Sequence, residues 1–162
     1  MTDTKIDGKR LRQVAGAFAT GVTVIAIEKT DGSIHGMTAS SFVSVSLDPP
    51  LVSFCVQLEG SICPLLKVGE TVGISILEAT QKDISNQFAG INKEEIEVPL
   101  TKTTTGGVIV NKALAWYSTT IHQILPAGDH LLVLCEVKDL DRAEDGQPLI
   151  YWSGYRTTGE QV

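Results

Sequence analysis

Residues 36–56 read Gly36-Met37-Thr38-Ala39-Ser40-Ser41-Phe42-Val43-Ser44-Val45-Ser46-Leu47-Asp48-Pro49-Pro50-Leu51-Val52-Ser53-Phe54-Cys55-Val56, and this stretch decides the fold. From 38 to 47 the side chains follow the period of two of an extended strand. Ala39, Ser41, Val43, Val45 and Leu47 fall on one face, with Thr38, Ser40, Phe42, Ser44 and Ser46 on the other. Asp48-Pro49-Pro50 ends that strand, because proline supplies no N–H to a ladder. Val52, Phe54 and Val56 begin the next one, with Ser53 and Gln57 opposite. Val72, Ile74 and Ile76 repeat the alternation against Thr71, Gly73 and Ser75, so each strand is expected to bury one face and keep the other small and polar.

Working upstream, residues 21–27 are rich in β-branched side chains, and Lys29-Thr30-Asp31-Gly32 supplies turn chemistry, which together predict a hairpin. Before it, Asp7 is placed to cap a helix on which Leu11, Val14, Ala15 and Phe18 recur at helical spacing, ending near Thr20-Gly21. Downstream, Ser61 is expected to cap a helix through Lys67, with Pro64 in its first turn and Gly69 at its exit. Thr80 and Asp83 form a shortened capping box for a second helix, whose Ile84 and Phe88 face inward before Gly90. Residues 91–108 show no sustained period and read as a long surface excursion of the kind that often borders a site. Strands are expected over 114–125, 130–139 and 148–152, with Pro126-Ala127-Gly128-Asp129 turning between the first two. The pattern is that of a mainly β protein, a closed or nearly closed antiparallel β-barrel with a few short helices, forming a single domain over residues 1–162.

Composition narrows the function. The chain has 162 residues, 43% of them hydrophobic, and 13 basic against 19 acidic side chains give a net charge of −6. Long-range attraction to nucleic acid or an anionic membrane therefore has no support, and any phosphate must be gripped locally. Cys55, Cys63 and Cys135 are too few and too scattered for a disulfide scaffold or a zinc knuckle, which suits a cytoplasmic protein. The polar N-terminus carries no apolar signal core, and no apolar run approaches the roughly 20 residues that span a bilayer. A soluble, unprocessed protein is expected. Neither GxGxxG nor GxxxxGK[ST] occurs, which removes the commonest phosphate-binding loops.

The chemistry is concentrated at His35-Gly36-Met37-Thr38-Ala39-Ser40-Ser41-Phe42, where small side chains and hydroxyls let a flat ligand approach the backbone. A solvated, hydroxyl-rich edge strand is the plainer reading of the same residues. His130 follows a Gly-Asp turn and could simply cap a strand. His35 and His122 stand alone, without ligands at metal spacing, so no metal site is expected. No GxSxG elbow supports hydrolase chemistry at Asp129-His130. Cys55 and Cys63 read as packed thiols, and Trp116 and Trp152 as core or interface residues.

Several stretches carry a family resemblance: Phe18-Ala19-Thr20-Gly21-Val22-Thr23-Val24, GMTASSF at 36–42, SVSLDPPLVSFCV at 44–56, and Gln87-Phe88-Ala89. To these add Ala113-Leu114-Ala115, Ala127-Gly128-Asp129-His130 and Pro148-Leu149-Ile150-Tyr151. Over about residues 10–157 the sequence resembles the flavin reductase-like family, small FMN-binding split-barrel proteins of antiparallel Greek-key type that include reductase components of two-component flavin monooxygenases. The resemblance implies an enzyme passing hydride from NADH or NADPH to FMN or FAD, a homodimer, and a flavin-dependent monooxygenase partner that receives reduced flavin. It implies flavin contacts from Met37, Thr38, Ala39, Ser40, Ser41, Ser53, Cys55 and Phe88, with Gly60 and Ser61 at the phosphate. It further implies nicotinamide contacts from His130, Tyr151, Gly154 and Tyr155. The chain departs from the family pattern at Glu59, which would repel a phosphate, at Cys135, and in the loop after Gly90. The rival reading is an FMN-carrying electron-transfer protein of the same fold, against which the Gly128-Asp129-His130 triplet weighs. A pyridoxal oxidase would need a basic pocket that Leu58-Glu59 does not supply.

Overall fold

The computed structural model describes residues 6–158. In chain order the elements are α1 (Gly8–Ala15), β1 (Thr20–Gly21), β2 (Thr23–Glu28), β3 (Ile34–Ala39), β4 (Val43–Leu47) and β5 (Pro50–Gln57), then a single 3₁₀ turn (Cys63–Leu65). They continue as β6 (Thr71–Ile76), α2 (Lys82–Phe88), β7 (Leu100–Lys102), β8 (Val108–Val110), β9 (Ala115–Ala127), β10 (His130–Arg142), β11 (Ile150–Tyr151) and β12 (Tyr155–Arg156). Seven strands form one antiparallel sheet in the order β3-β2-β6-β9-β10-β5-β4, beside a β1-β11-β12 sheet and a β7-β8 pair.

The unbroken burial of Val22–Ile27 has a simple cause: the strand is covered on both faces. Ile25 and Ile27 enter the main core with Phe54, Ile74 and Val133, while Val22 and Val24 enter a second core with Leu77, Val110 and Leu149. Two-sided cover turns an alternating strand into a continuous apolar run. Where β6 passes beneath β8, a Cβ built on Gly73 would lie 1.8 Å from the Val108 carbonyl oxygen, so only glycine admits the crossing. Ser75 Oγ accepts the Val110 N–H at 2.8 Å and fixes β8 there.

The sheet has two edges, β3 and β4, and no ladder joins them among the described residues. It nevertheless curls until β3 and the segment after it meet β5 through side chains. Ser41 Oγ accepts the Cys55 N–H at 2.9 Å, and His35 Nε2 lies 2.9 Å from Ser61 Oγ. These contacts mark a seam where backbone pairing stops.

Several expectations are corrected. Residues 38–47 are not one strand: β3 ends at Ala39 and β4 begins at Val43, because the chain leaves β2 at Ser40 to reach β5. The helix expected over 61–67 is only the 3₁₀ turn, and the Ser61 hydroxyl meets His35 instead of capping it. Thr80 does not cap α2 either, since its N–H and hydroxyl both turn back to the Glu78 carboxylate, and the α2 cap position falls to Gln81. The excursion at 91–108 contains β7 and meets β8, whose three residues are all buried. α1 stops at Gly16, before Thr20, although Asp7 caps it as expected by accepting the Lys9 N–H. The strand expected over 148–152 shortens to β11, and β12 was not anticipated.

Cys135 sits in the main core, and burial pushes its thiol up to about 11, with Thr119 opposing weakly through a hydrogen bond. In folded protein at about pH 8 Cys135 resists alkylation by iodoacetamide, because the thiolate is the reacting form. Peptide mapping after brief labelling, with and without denaturant, checks this: modification of Cys135 before unfolding would contradict the packing. Its raised value also means stability falls as pH climbs from the ordinary 9.0 towards about 11, where the unfolded chain releases a proton the folded one keeps.

Candidate functional site

A cleft of about 500 Å³ follows the seam. One wall is Gly36–Ser41; the other is Cys55–Gln57 with Gly60–Ile62; Phe88 and Ala89 of the α2 end and His130 complete it. Met37, Thr38, Ala39, Ser40, Ser41, Cys55, Gly60, Ser61, Phe88 and His130 are thus brought together. Ser53 is not: it is buried within β5, opposite Val43 of β4, and does not line this cleft. β4 pairs only as far as Ser53, so the free side of β5 opens beyond it, at Cys55.

Each wall has a local cause. Ala39 and Met37 turn their side chains toward the main core, leaving β3 to offer mostly backbone. As an edge strand it has N–H and C=O groups on its outer side that no neighbouring strand pairs. Thr38 Oγ1 donates to the Ser85 carbonyl at 2.6 Å, which ties α2 to β3 and fixes Phe88 at the cleft. A Cβ on Gly36 would lie 2.8 Å from both the Ile25 carbonyl oxygen and the Phe88 ring, so glycine is what lets that ring settle against the strand. His130 begins β10, paired with Gln57 of β5 and Ala127 of β9, and its Nδ1 is 2.7 Å from Asp129 Oδ1. Asp129 is held below the usual carboxylate value, first by that hydrogen bond and then by the histidine's charge.

The C-terminal candidates sit apart from the seam cleft. Tyr151 lines a neighbouring cleft of about 710 Å³ together with Ser40 and Ser153. Tyr155 donates from its hydroxyl to Asn86 Oδ1 and is 2.9 Å from Ser85 Oγ, so this hydroxyl braces α2. Gly154 shapes the turn in which the Trp152 N–H meets the Gly154 carbonyl. Glu59 is exposed on its turn and does not line the seam cleft.

Two residues escaped the sequence reading. His35, solitary along the sequence, reaches Ser61 across the seam; only the curl of the sheet brings them together. Thr20 lies where two further clefts run to Ser40, and its Oγ1 is the single buried side-chain oxygen or nitrogen without a hydrogen-bond partner among the described residues. An orphaned buried hydroxyl costs about 1–3 kcal/mol, which a ligand polar group would relieve. The signal in the sequence is the Thr20-Gly21 pair within the Phe18–Val24 stretch.

A flavin fits these residues. Its flat ring needs a surface free of bulky side chains, found at Gly36, Ala39, Ser40 and Ser41, and its polar edge needs donors and acceptors, found on the unpaired edge of β3. Its phosphate needs small neighbours with hydroxyls or N–H groups, found at Gly60-Ser61.

Fold and cleft together define a small antiparallel β protein whose curled sheet leaves an open seam lined by small side chains and hydroxyls. The chain belongs to the flavin reductase like domain family, whose sequence pattern matches residues 15–159. It is 36% identical over 154 residues to an NADH-dependent flavin reductase of a Rhodococcus species, covering 94% of this chain and 86% of that protein. It is 35% identical over 146 residues to the reductase component of 4-hydroxyphenylacetate 3-monooxygenase from Thermus thermophilus, covering 90% and 93%. Among solved structures, flavin reductase PheA2 superposes with a TM-score of 0.90 at 35% identity, covering 96% of this chain and all of that one. The NADH:FAD oxidoreductase SgcE6 of Streptomyces globisporus, determined with NAD and FAD fragments, gives 0.87 at 32% identity, covering 100% and 98%.

Proposed function

We propose that this protein is an NADH-dependent flavin reductase that supplies reduced flavin to a separate monooxygenase component. The observation that carries the reading is the seam cleft, with an unpaired, small-residue strand edge on one side and His130 at its end. When bound there, flavin supplies the hydride acceptor, and NADH the hydride. The chain itself binds and orients, as is usual where a cofactor carries the chemistry. Ser41, fixed by the Cys55 N–H, holds the two walls at their spacing; Gly60 and Ser61 take the phosphate; His130, oriented by Asp129, receives the nicotinamide end. Sequence and structure support FMN and FAD alike as the acceptor.

The test is direct. Purified protein with free FMN or FAD should consume NADH, followed by loss of its near-ultraviolet absorbance; absence of turnover with either flavin would leave the electron-carrier alternative. Within this scheme His130→Ala should raise the NADH KM about tenfold while changing flavin affinity less than about twofold, the effect of one polar contact. A larger loss of flavin binding than of NADH recognition would overturn the assignment.

We also read the chain as a single-domain split barrel, divided at the seam, that works as a homodimer in the cytoplasm. α1 supports the dimer. None of its residues is buried, and Leu11 and Val14 are exposed at 61% and 66%. A helix with exposed apolar residues and no buried face in its own chain needs cover, and a second copy provides it. Sedimentation of the protein as a monomer at micromolar concentration would refute this. Among the described residues no helix is long and apolar enough to cross a membrane, and all three cysteines are free thiols, as suits a reducing compartment.

A further inference from the structure

The seam cleft is short of positive charge for a place that takes a phosphate. Among the described residues no lysine or arginine lines it, the chain carries a net charge of −6, and Glu59 stands two residues before Ser61. A phosphate lodged at Gly60-Ser61 must therefore be held by neutral donors, and the Ser61 hydroxyl is the only side-chain proton that this pair can give.

His35 faces that hydroxyl from across the seam. Side chains alternate along β3, so His35 shares the face of Met37 and Ala39, which pack on the main core. From that face the half-buried imidazole places Nε2 2.9 Å from Ser61 Oγ. His130, which lines the cleft, has its Nδ1 engaged by Asp129 instead.

The direction of the His35–Ser61 bond decides what Ser61 can offer. If Ser61 donates to Nε2, only its lone pairs are left for the cleft, and these repel a phosphate oxygen. If Nε2–H donates to Oγ, the Ser61 proton is free for the ligand. A phosphate dianion offers acceptors alone, so its binding at Ser61 requires the second arrangement, with the imidazole proton on Nε2.

We propose that His35 is a positioning residue for phosphate-bearing flavins: by donating from Nε2 to Ser61 Oγ it turns the Ser61 hydroxyl into a donor, and the protein thereby favours FMN over riboflavin. The proposal rests on the flavin reductase reading, with Gly60-Ser61 at the phosphate. The imidazole acts through Ser61 and does not itself line the cleft.

Parallel fluorescence titrations with FMN and riboflavin test it. Wild type should bind FMN at least about tenfold more tightly than riboflavin. His35→Leu, which keeps bulk but has no donor, should lower FMN affinity about tenfold and riboflavin affinity less than about twofold. His35→Gln, whose amide can donate to the same Oγ, should restore most of the preference for FMN. A contact that merely clasps the seam would weaken both flavins alike. Nitrogen NMR of wild type with isotopically labelled histidine gives a second readout, which decides the matter should His35→Leu fail to fold: FMN should fix the His35 proton on Nε2, and riboflavin should leave the ring unchanged. An FMN-to-riboflavin affinity ratio unchanged in His35→Leu, or an Nε2 without its proton when FMN is bound, overturns the role of His35 while flavin reduction stands. Wild type that shows the Nε2 signature with FMN yet oxidises no NADH would instead sink the functional reading and leave the role of His35 standing.

Discussion

Gly73→Ala is expected to yield protein that fails to fold or is destabilised by at least about 3 kcal/mol, the upper part of the range for overpacking a tight core. The reason is geometric. A Cβ there would meet not a mobile side chain but the Val108 backbone, at 1.8, 2.5 and 2.8 Å from its O, C and N. Relief requires β8 to lift from β6, which breaks the Ser75–Val110 hydrogen bond and uncovers the core that Val110 shares with Val24, Leu77 and Leu149. Urea unfolding checks it; a midpoint near wild type would mean that β8 does not press on β6 as described. Gly36→Ala provides the graded comparison, since part of its clash is with the Phe88 ring, which can move.

Ser40→Trp is expected to lower flavin affinity at least about a hundredfold, a loss near 3 kcal/mol, with little change in thermal stability. Ser40 is exposed, so folding tolerates a large side chain, yet it lines all three clefts that meet beside the seam. An indole at that junction occupies the space a planar ring needs. Fluorescence titration with FMN, beside a melting curve, separates the outcomes: a stable variant that still binds FMN normally would place the flavin elsewhere.

How much of this was legible in sequence depended on distance along the chain. Period-two patterns located β5, β6 and β10, β-branched richness located β2, and the GMTASSF and Gly128-Asp129-His130 motifs located most of the seam cleft, because all these signals are local. The break at Ser40–Phe42 was hidden, since alternation continues through a turn when both flanking strands keep one face apolar. β8 was hidden for another reason: Val108-Ile109-Val110 is too short to show a period, and its burial comes from Gly73, distant in sequence. Ser53 and Cys55 looked equivalent by alternation, and only the point where β4 stops pairing distinguishes them. The His35–Ser61 and Ser41–Cys55 contacts depend on sheet curl, which no local pattern encodes. Nor does amphipathicity reveal that α1 buries none of its residues and leaves Leu11 and Val14 exposed.

The β9–β10 hairpin carries His130 at its outer end, where residues 125–129 are all exposed and Asp129 accepts the Leu58 N–H and meets the ring of its neighbour His130. The main core buries this hairpin lower down, at Ile121, Val133 and Cys135, with Ile124 and Leu131 packed against it only in part. Under the role proposed for His130, substitutions at the tip retune which reductant is accepted without loosening the scaffold, giving protein engineers, and natural variation, separate handles on selectivity and robustness.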